Sequence, residues 1–542
     1  MTPLTTLELP PRNGRPLRIA YLVFNDTYGD TRVLKTAETA VQAGAEVRIF
    51  AIGGKGRRFP AGLEVRPNGV EIERFQLLGL GSAKDVWTQG RLWWRTVRGR
   101  PLAPVVSPAA LPQVEPELET VPPDSIALED ELLAAQCPPT DAAVGAAVAR
   151  RGGPFARRVR LIRNRLVVPT SRLVRRKYRR ARRGVYLLSR GKWRAAKRSA
   201  FLFANPLVKR LNRWAVPASY RHGIQAQIIA WAPDLIHAHD ANTLYPAGRS
   251  AKKLGVPFVY DSHELWTHRN RVSVSESLRR KEARSERYWA RRAARVITVS
   301  PSIAQWLKKR YRLHELPELV RNIPPFDGHL PSREGGRLRE LAGLQYTDKV
   351  VVYCGGITTN RGIEQAIEAT AALPRDTHFV LLGYGNETFQ AKLLELVEAN
   401  GVGERVHFIG SVPSAEVSAA LADADVSLVL TQPTCLSYAY SLPNKLFESI
   451  HAGIPVLSTR LIDAAALIDE YEVGETVAVD AGASELAARM EDVIARNSEF
   501  HAAAVRAASK LTWENEAGRL IAVWSQALGV TARERNRVAE AV

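Results

Sequence analysis

Only three cysteines occur in 542 residues, Cys137, Cys354 and Cys435. They are too few and too scattered for a disulfide framework or a thiolate metal site, which suits a reducing, cytoplasmic setting. No apolar run reaches the length of about 18 residues that a membrane-crossing helix needs. The first residues, Met1 to Gly14, have no basic stretch followed by an apolar core, so they do not read as a secretory signal. Acidic side chains are missing from one long segment. Between Arg150 and Arg221 there are 24 Lys and Arg and no Asp or Glu, in a chain whose whole net charge is +21. The rest is therefore close to neutral, and a single segment carries the excess. Just before it, residues 101–149 hold eight Asp and Glu, no Lys or Arg, and many prolines. An acidic, proline-rich stretch beside a basic one reads as a linker and an arm, so residues 83–222 are expected to form an insertion.

What is present outside that insertion is strand–helix alternation. Arg18 to Phe24 is an apolar run of strand length. Asp30 follows as a helix cap ahead of Val33, Leu34, Ala37 and Val41 at helical spacing. Strands are expected at 46–52, 235–239, 258–260 and 296–299, with helices at 243–253 and 275–294. Arg321-Asn322-Ile323-Pro324-Pro325 and then Gly335-Gly336 break the pattern, and it restarts with strands at 349–354, 378–382, 405–409, 425–430 and 454–458. The expected architecture is α/β, with two doubly wound parallel sheets facing a cleft. The N-terminal domain spans 16–325 and the C-terminal domain 335–510, and a helix at 511–530 packs back on the first. A chain of this length needs more than one core.

The most informative segment runs from Ser441-Leu442-Pro443-Asn444-Lys445 through Glu448 to Gly453. Pro443 suits a first helical turn and Gly453 a helix stop. Lys445 would sit where the helix dipole disfavours a cation by about 0.3–1 kcal/mol, unless an anion binds there. Glu448 lies one turn on, along the same face. A cation for phosphates beside a carboxylate for sugar hydroxyls is what a nucleotide-sugar requires. An exposed Lys–Glu pair on an amphipathic helix accounts for the pattern equally well.

The segment resembles the donor-binding helix of retaining glycosyltransferases of the GT-B fold, in the large family that includes bacterial lipid mannosyltransferases and sucrose synthases. It also resembles a bacterial subgroup with a Pro-x-Lys-x-x-Glu form of the helix. Many members carry two glutamates eight apart, the first touching the donor sugar and the second the ribose. The resemblance gives Glu448 the second role, while Tyr440 occupies the place of the first. Asn444 falls in the same donor-binding turn. Tyr353 to Gly362 resembles the family's diphosphate loop, in which Gly356 replaces an arginine and Arg361 stands in for a lysine. Gly383, in Leu382-Gly383-Tyr384-Gly385, resembles the next glycine turn beside the nucleotide, although any strand-to-helix turn favours glycine. In the N-terminal domain, Asn25 to Leu34 resembles the family's opening loop, which places Asp26 at the cleft. Pro233 to Asp240 resembles the strand-end motif whose histidine faces the donor sugar, here His239 with Asp240 beside it. Tyr260-Asp261-Ser262-His263-Glu264 adds His263 to the same edge. A lone strand-end histidine is more often structural.

The resemblance covers residues 16–82 and 223–528. It implies transfer of a sugar from a nucleotide-sugar to a lipid-linked or cell-envelope glycan, with retention and with neither metal nor other cofactor. A nucleotide-sugar epimerase of the same architecture and a catalytically silent scaffold remain open alternatives. The basic segment interleaves cations with Phe155, Val159, Leu161, Trp193, Phe201 and Trp214. Basic amphipathic helices of this kind lie in membrane interfaces, so residues 150–222 are expected to meet an anionic membrane surface, making the protein peripheral on the inner face of the plasma membrane. A nucleic-acid partner is not expected, because no reading motif is present.

Overall fold

The computed structural model describes residues 7–54, 58–77, 216–271, 275–326 and 328–534. The expected linker and most of the basic arm lie outside these residues. In chain order the strands are Leu7–Glu8 (β1), Arg18–Leu22 (β2), Glu46–Gly53 (β3), Gly62–Val65 (β4), Glu71–Gln76 (β5), Leu235–His239 (β6), Phe258–Ser262 (β7), Arg295–Thr298 (β8) and Glu318–Leu319 (β9). In the second lobe they are Lys349–Cys354 (β10), Thr377–Leu382 (β11), Val406–Phe408 (β12), Val426–Val429 (β13), Val456–Thr459 (β14) and Gly474–Val477 (β15). Arg533–Glu534 (β16) returns to pair antiparallel with β1.

The N-terminal sheet has the order β4-β5-β3-β2-β6-β7-β8-β9, parallel except for the β4–β5 hairpin. Side chains alternate between its faces with the strand period of two. Ile19, Tyr21, Ile49, Leu235 and Val259 face the helix Thr31–Gln42 and the C-terminal helix Trp513–Leu528. Ala20, Leu22, Phe50, Ile236 and Tyr260 face the opposite helical layer. That layer includes a helix over 216–231, whose Tyr220, Ile224 and Ile228 are fully or almost fully buried. Tyr220 also donates from its hydroxyl to the Val23 carbonyl at 3.1 Å. Residues 216–222 thus belong to the N-terminal core rather than to the insertion expected from the sequence. Their cation, Arg221, is exposed, so composition continues smoothly across a structural boundary.

The C-terminal sheet is parallel throughout, in the order β12-β11-β10-β13-β14-β15. The helices Ile363–Thr370, Glu387–Ala399 and Ala483–Ala495 cover one face, and Asn444–His451, Ile462–Tyr471 and Asn497–Ala508 pack on the other. The chain leaves the first lobe after β9 and re-enters it ahead of Trp513, whose indole is completely buried there. Polar contacts also bridge the lobes. Ser302 gives its backbone N–H and its hydroxyl to Asp463, at 3.0 and 2.7 Å. The Ser300 hydroxyl donates to the Tyr440 carbonyl at 2.7 Å. The two lobes are Rossmann-like, and their sheets face a cleft. Ligands of such sheets bind beyond the carboxyl ends of the strands.

Candidate active site

A cluster of side chains forms toward the carboxyl ends of β6 and β7. His237 and His239 are two apart on β6, so they point to the same face, and their rings stack at 4.5 Å and 3°. Tyr21 of β2 stacks on both. Parallel register sets Asp261 beside His239. Asp261 is fully buried and receives a two-pronged bond from Arg32, Nε at 3.0 Å and Nη2 at 2.8 Å. Burial alone would raise its carboxyl, but Arg32, then His263, hold it well below the usual range. Arg32 also donates to the Val320 carbonyl at 2.8 Å, next to the crossing between lobes.

The neighbours assign the ring protons. Trp524 donates from Nε1 to His237 Nδ1 at 3.1 Å, which leaves the His237 proton on Nε2. His263 sits with Nε2 3.0 Å from His239 Nδ1 and 3.5 Å from Asp261, and with Nδ1 3.5 Å from Asp240. Burial pulls the His263 pKa down, but the Asp240 and Asp261 carboxylates more than offset it, and it rises to about 9. A charged His263 can only donate, so His239 accepts at Nδ1 and carries its own proton on Nε2. Burial, and then His237, keep His239 neutral, with a pKa well below the usual value. Its Nε2 is buried and has no hydrogen-bond partner in the protein. This N–H is the donor that a ligand would satisfy. Asp240 accepts from the His263 backbone N–H at 3.3 Å and holds the corner at a left-handed φ of 60°.

His263 makes stability depend on pH. Its folded pKa lies above the unfolded value of about 6.5, so its contribution is complete below that pH and is lost as pH rises through about 9. The shift corresponds to a contribution on the order of 3 kcal/mol. Urea midpoints measured across this window should fall with rising pH, and His263→Gln should flatten the slope. An unchanged slope would refute the charged assignment.

The second half of the site lies at the carboxyl ends of β10 and β11. The helix begins at Asn444, so Pro443 is its cap rather than its first residue, and Gly453 ends it at φ 72°. Lys445 lies 3.7 Å above the Tyr353 ring. Burial and then Arg361 lower its pKa to about 7, against the pull of Glu448. Glu448 is raised by burial, while Lys445 and Lys35 oppose that rise. The Arg361 guanidinium sits 4.9 Å over the Tyr438 ring. Gly383 packs so close that a β-carbon on it would collide with the Gly355 carbonyl oxygen. Only glycine there lets the two strand-end loops touch, and the Ile357 N–H then bonds the Tyr384 carbonyl at 2.7 Å. Gly356 faces open space, and its carbonyl accepts from the Tyr353 hydroxyl at 2.7 Å.

The structure therefore gathers His239, Asp240 and His263 on one lobe, and Arg361, Lys445, Glu448, Asn444, Gly356 and Gly383 on the other. Tyr440 instead packs at the lobe interface, against the core beside Leu436. Asp26 serves its own loop: its Oδ1 accepts from the Tyr28 N–H at 3.0 Å, and its carbonyl accepts from Arg74. Asp30 caps the first helix, accepting from the Val33 N–H at 3.2 Å. Among the described residues, His237, His239 and Asp261 place possible ligand atoms within 4.8 Å of one another. Sequence reasoning missed Asp261, Arg32 and His237 as site residues. The available signal was Arg32 itself, a cation in a first helical turn, where the dipole favours acids and only a buried anion makes it welcome.

Known proteins match the chain lobe by lobe. Residues 180–325 match the model described as Glycosyltransferase Family 4, and residues 348–496 match Glycosyl transferases group 1. Both lobes thus resemble glycosyltransferases, and the two-lobed architecture is that of the GT-B class. It is 24% identical over 299 residues to the glycogen synthase of Mycobacterium tuberculosis, covering 53% of this chain and 67% of that protein. It is also 24% identical over 277 residues to the lipopolysaccharide glucosyltransferase WaaG of Escherichia coli, covering 48% and 71%. In fold it is similar to a sucrose-phosphate synthase from Thermosynechococcus elongatus, with TM-score 0.59, 15% identity, and 95% and 99% of the two chains covered. No helix among the described residues is long and apolar enough to cross a membrane.

Proposed function

We propose that the protein transfers a sugar from a nucleoside-diphosphate sugar to a lipid-linked or cell-envelope glycan acceptor, with retention of configuration and without a metal. The observation that carries this reading is Lys445, at the start of the Asn444–His451 helix, reaching over Tyr353 to the loop that leads to Arg361, with Glu448 one turn on along the helix. Arg361, Lys445 and the first backbone N–H groups of that helix neutralise the diphosphate as it departs. Lys445, held near neutrality, gains a proton when the phosphates arrive, so donor binding takes up protons. Glu448 accepts the ribose hydroxyls, and the unpaired His239 Nε2–H donates to the donor sugar. The bond from the anomeric carbon to phosphate oxygen breaks as the acceptor oxygen bonds to the same face, and the hydroxyl proton passes to the leaving phosphate. No protein nucleophile is needed.

Metal independence is supported by electrostatics. Both Asp261 oxygens bond Arg32, and a charged His263 stands beside them, so a cation among the histidines would meet two positive neighbours. Association with an anionic membrane is supported by the basic arm and by a further basic face of the N-terminal lobe, where Arg284, Arg287, Arg291, Arg292 and His314 line one open basin.

The test is incubation with a panel of nucleoside-diphosphate sugars, with and without acceptors, read by NMR. Acceptor-dependent product with the donor's anomeric configuration, formed equally well in a metal chelator, is expected. Interconversion of the sugar-nucleotide without acceptor would identify an epimerase, and no turnover at all would favour a scaffold.

A further inference from the structure

Two cations one helical turn apart, Arg32 and Lys35, leave the helix Thr31–Gln42 toward the crossing between lobes. Arg32 binds Asp261 of the histidine cluster and the Val320 carbonyl. Lys35 donates to Asn322 Oδ1 at 3.0 Å and to the Ile323 carbonyl. Its ammonium also lies 4.1 Å over the ring of Trp513, on the returning crossing. One lysine of the N-terminal lobe thus touches both stretches of chain that join the lobes.

The chemistry of an ammonium gives this contact a direction. Lys35 donates to Asn322, whose amide oxygen therefore faces it. The amide nitrogen of Asn322 then faces the other way and donates to Asn444 Oδ1 at 3.0 Å. Asn444 is the first residue of the helix that carries Lys445 and Glu448. Lys35 also faces Glu448 electrostatically from across the cleft.

We infer that Lys35 is a positioning residue, which through Asn322 orients the first turn of the donor helix relative to the histidine cluster and so sets donor affinity. This inference rests on the donor-site reading above. Lys35 does not touch the reacting atoms. Its loss should therefore weaken donor binding through geometry and raise KM for the sugar-nucleotide more than it lowers kcat.

The test uses the full chain and three variants, Lys35→Met, Asn322→Leu and the double variant, each titrated calorimetrically with nucleoside diphosphates. Asn322→Leu is close to asparagine in shape but can neither accept from Lys35 nor donate to Asn444, so it breaks the relay while Lys35 keeps the Ile323 carbonyl and the Trp513 ring. Each single variant should weaken nucleoside-diphosphate binding by about tenfold, and the double variant by little more than either, since the groups act in series. If the wild type binds a nucleoside diphosphate and Asn322→Leu binds it equally well, Lys35 is only a structural pin and the inference is overturned. Equal binding by folded Lys35→Met overturns it as well. If the wild type binds none of the panel, the donor-site reading has failed instead.

Discussion

Glu448→Ala is expected to lower kcat/KM for the sugar-nucleotide by about a hundredfold or more, while leaving the thermal unfolding midpoint near that of the wild type. Hydrogen bonds to a charged group are worth about 1.5–3 kcal/mol each, and a carboxylate can hold two ribose hydroxyls. The same carboxylate contributes little to folding, because burial raises its pKa and the protein itself gives it only Lys445 and Lys35 as opposing charges. On the proposed function its value lies in the bound state. Initial rates for Glu448→Ala and Glu448→Gln check this, with the glutamine variant retaining part of the hydrogen bonding. Near-normal turnover by the alanine variant would remove the donor site from the Asn444–His451 helix.

Breaking the Arg32–Asp261 pair should have the largest effect on stability. Both side chains are almost wholly buried, and the bond between them is bidentate. Removing one partner of such a pair leaves the other as an uncompensated buried charge, at a cost of about 3–5 kcal/mol. Asp261→Asn keeps the shape, yet strands Arg32 against Val320 and releases His263 from one of its two carboxylates. Arg32→Met strands Asp261 among three histidines. Urea unfolding should show large losses for each single variant. The double variant Arg32→Met, Asp261→Asn should lose less than the two summed, because neither buried charge remains. Strict additivity would mean that the two do not act as a pair. The sign of the acid limb follows from the same geometry. Asp261 is held well below its ordinary pKa, so its contribution is present above the unfolded value of about 3.9 and disappears as pH falls below it.

Much of the fold could be read in the sequence because parallel sheets write themselves as apolar runs separated by capped helices. The strand at 349–354 and the helix at 387–399 coincide with β10 and with Glu387–Ala399. Short or edge elements were not visible. The β4–β5 hairpin carries exposed, charged residues, and β9 is two residues long, so neither has a periodicity to detect. The helix over 216–231 was missed because its opening continues the composition of the arm, although Tyr220, Ile224 and Ile228 recur at the helical spacing of four.

In the site, Lys445, Glu448 and His239 could be picked out because each breaks a local rule: a cation at a helix start, a carboxylate one turn later, an imidazole ending an apolar strand. Their partners obey no local rule. Arg32 and Asp261 are 229 residues apart, and Trp524 meets His237 across 287. Such pairings come only from the way two lobes and a returning helix close on one another.

The central claim is that the helix beginning at Asn444 holds the diphosphate and ribose of the donor. Thermal unfolding of the wild type against a panel of nucleoside diphosphates and their sugars tests it most directly. A ligand at a hundred times its dissociation constant adds about 2.7 kcal/mol of stability, an easily measured rise in midpoint. The expected result is a rise selective for one nucleotide and abolished in Lys445→Ala. An unmoved midpoint with every nucleotide at millimolar concentration, or a rise that survives in Lys445→Ala, would contradict it.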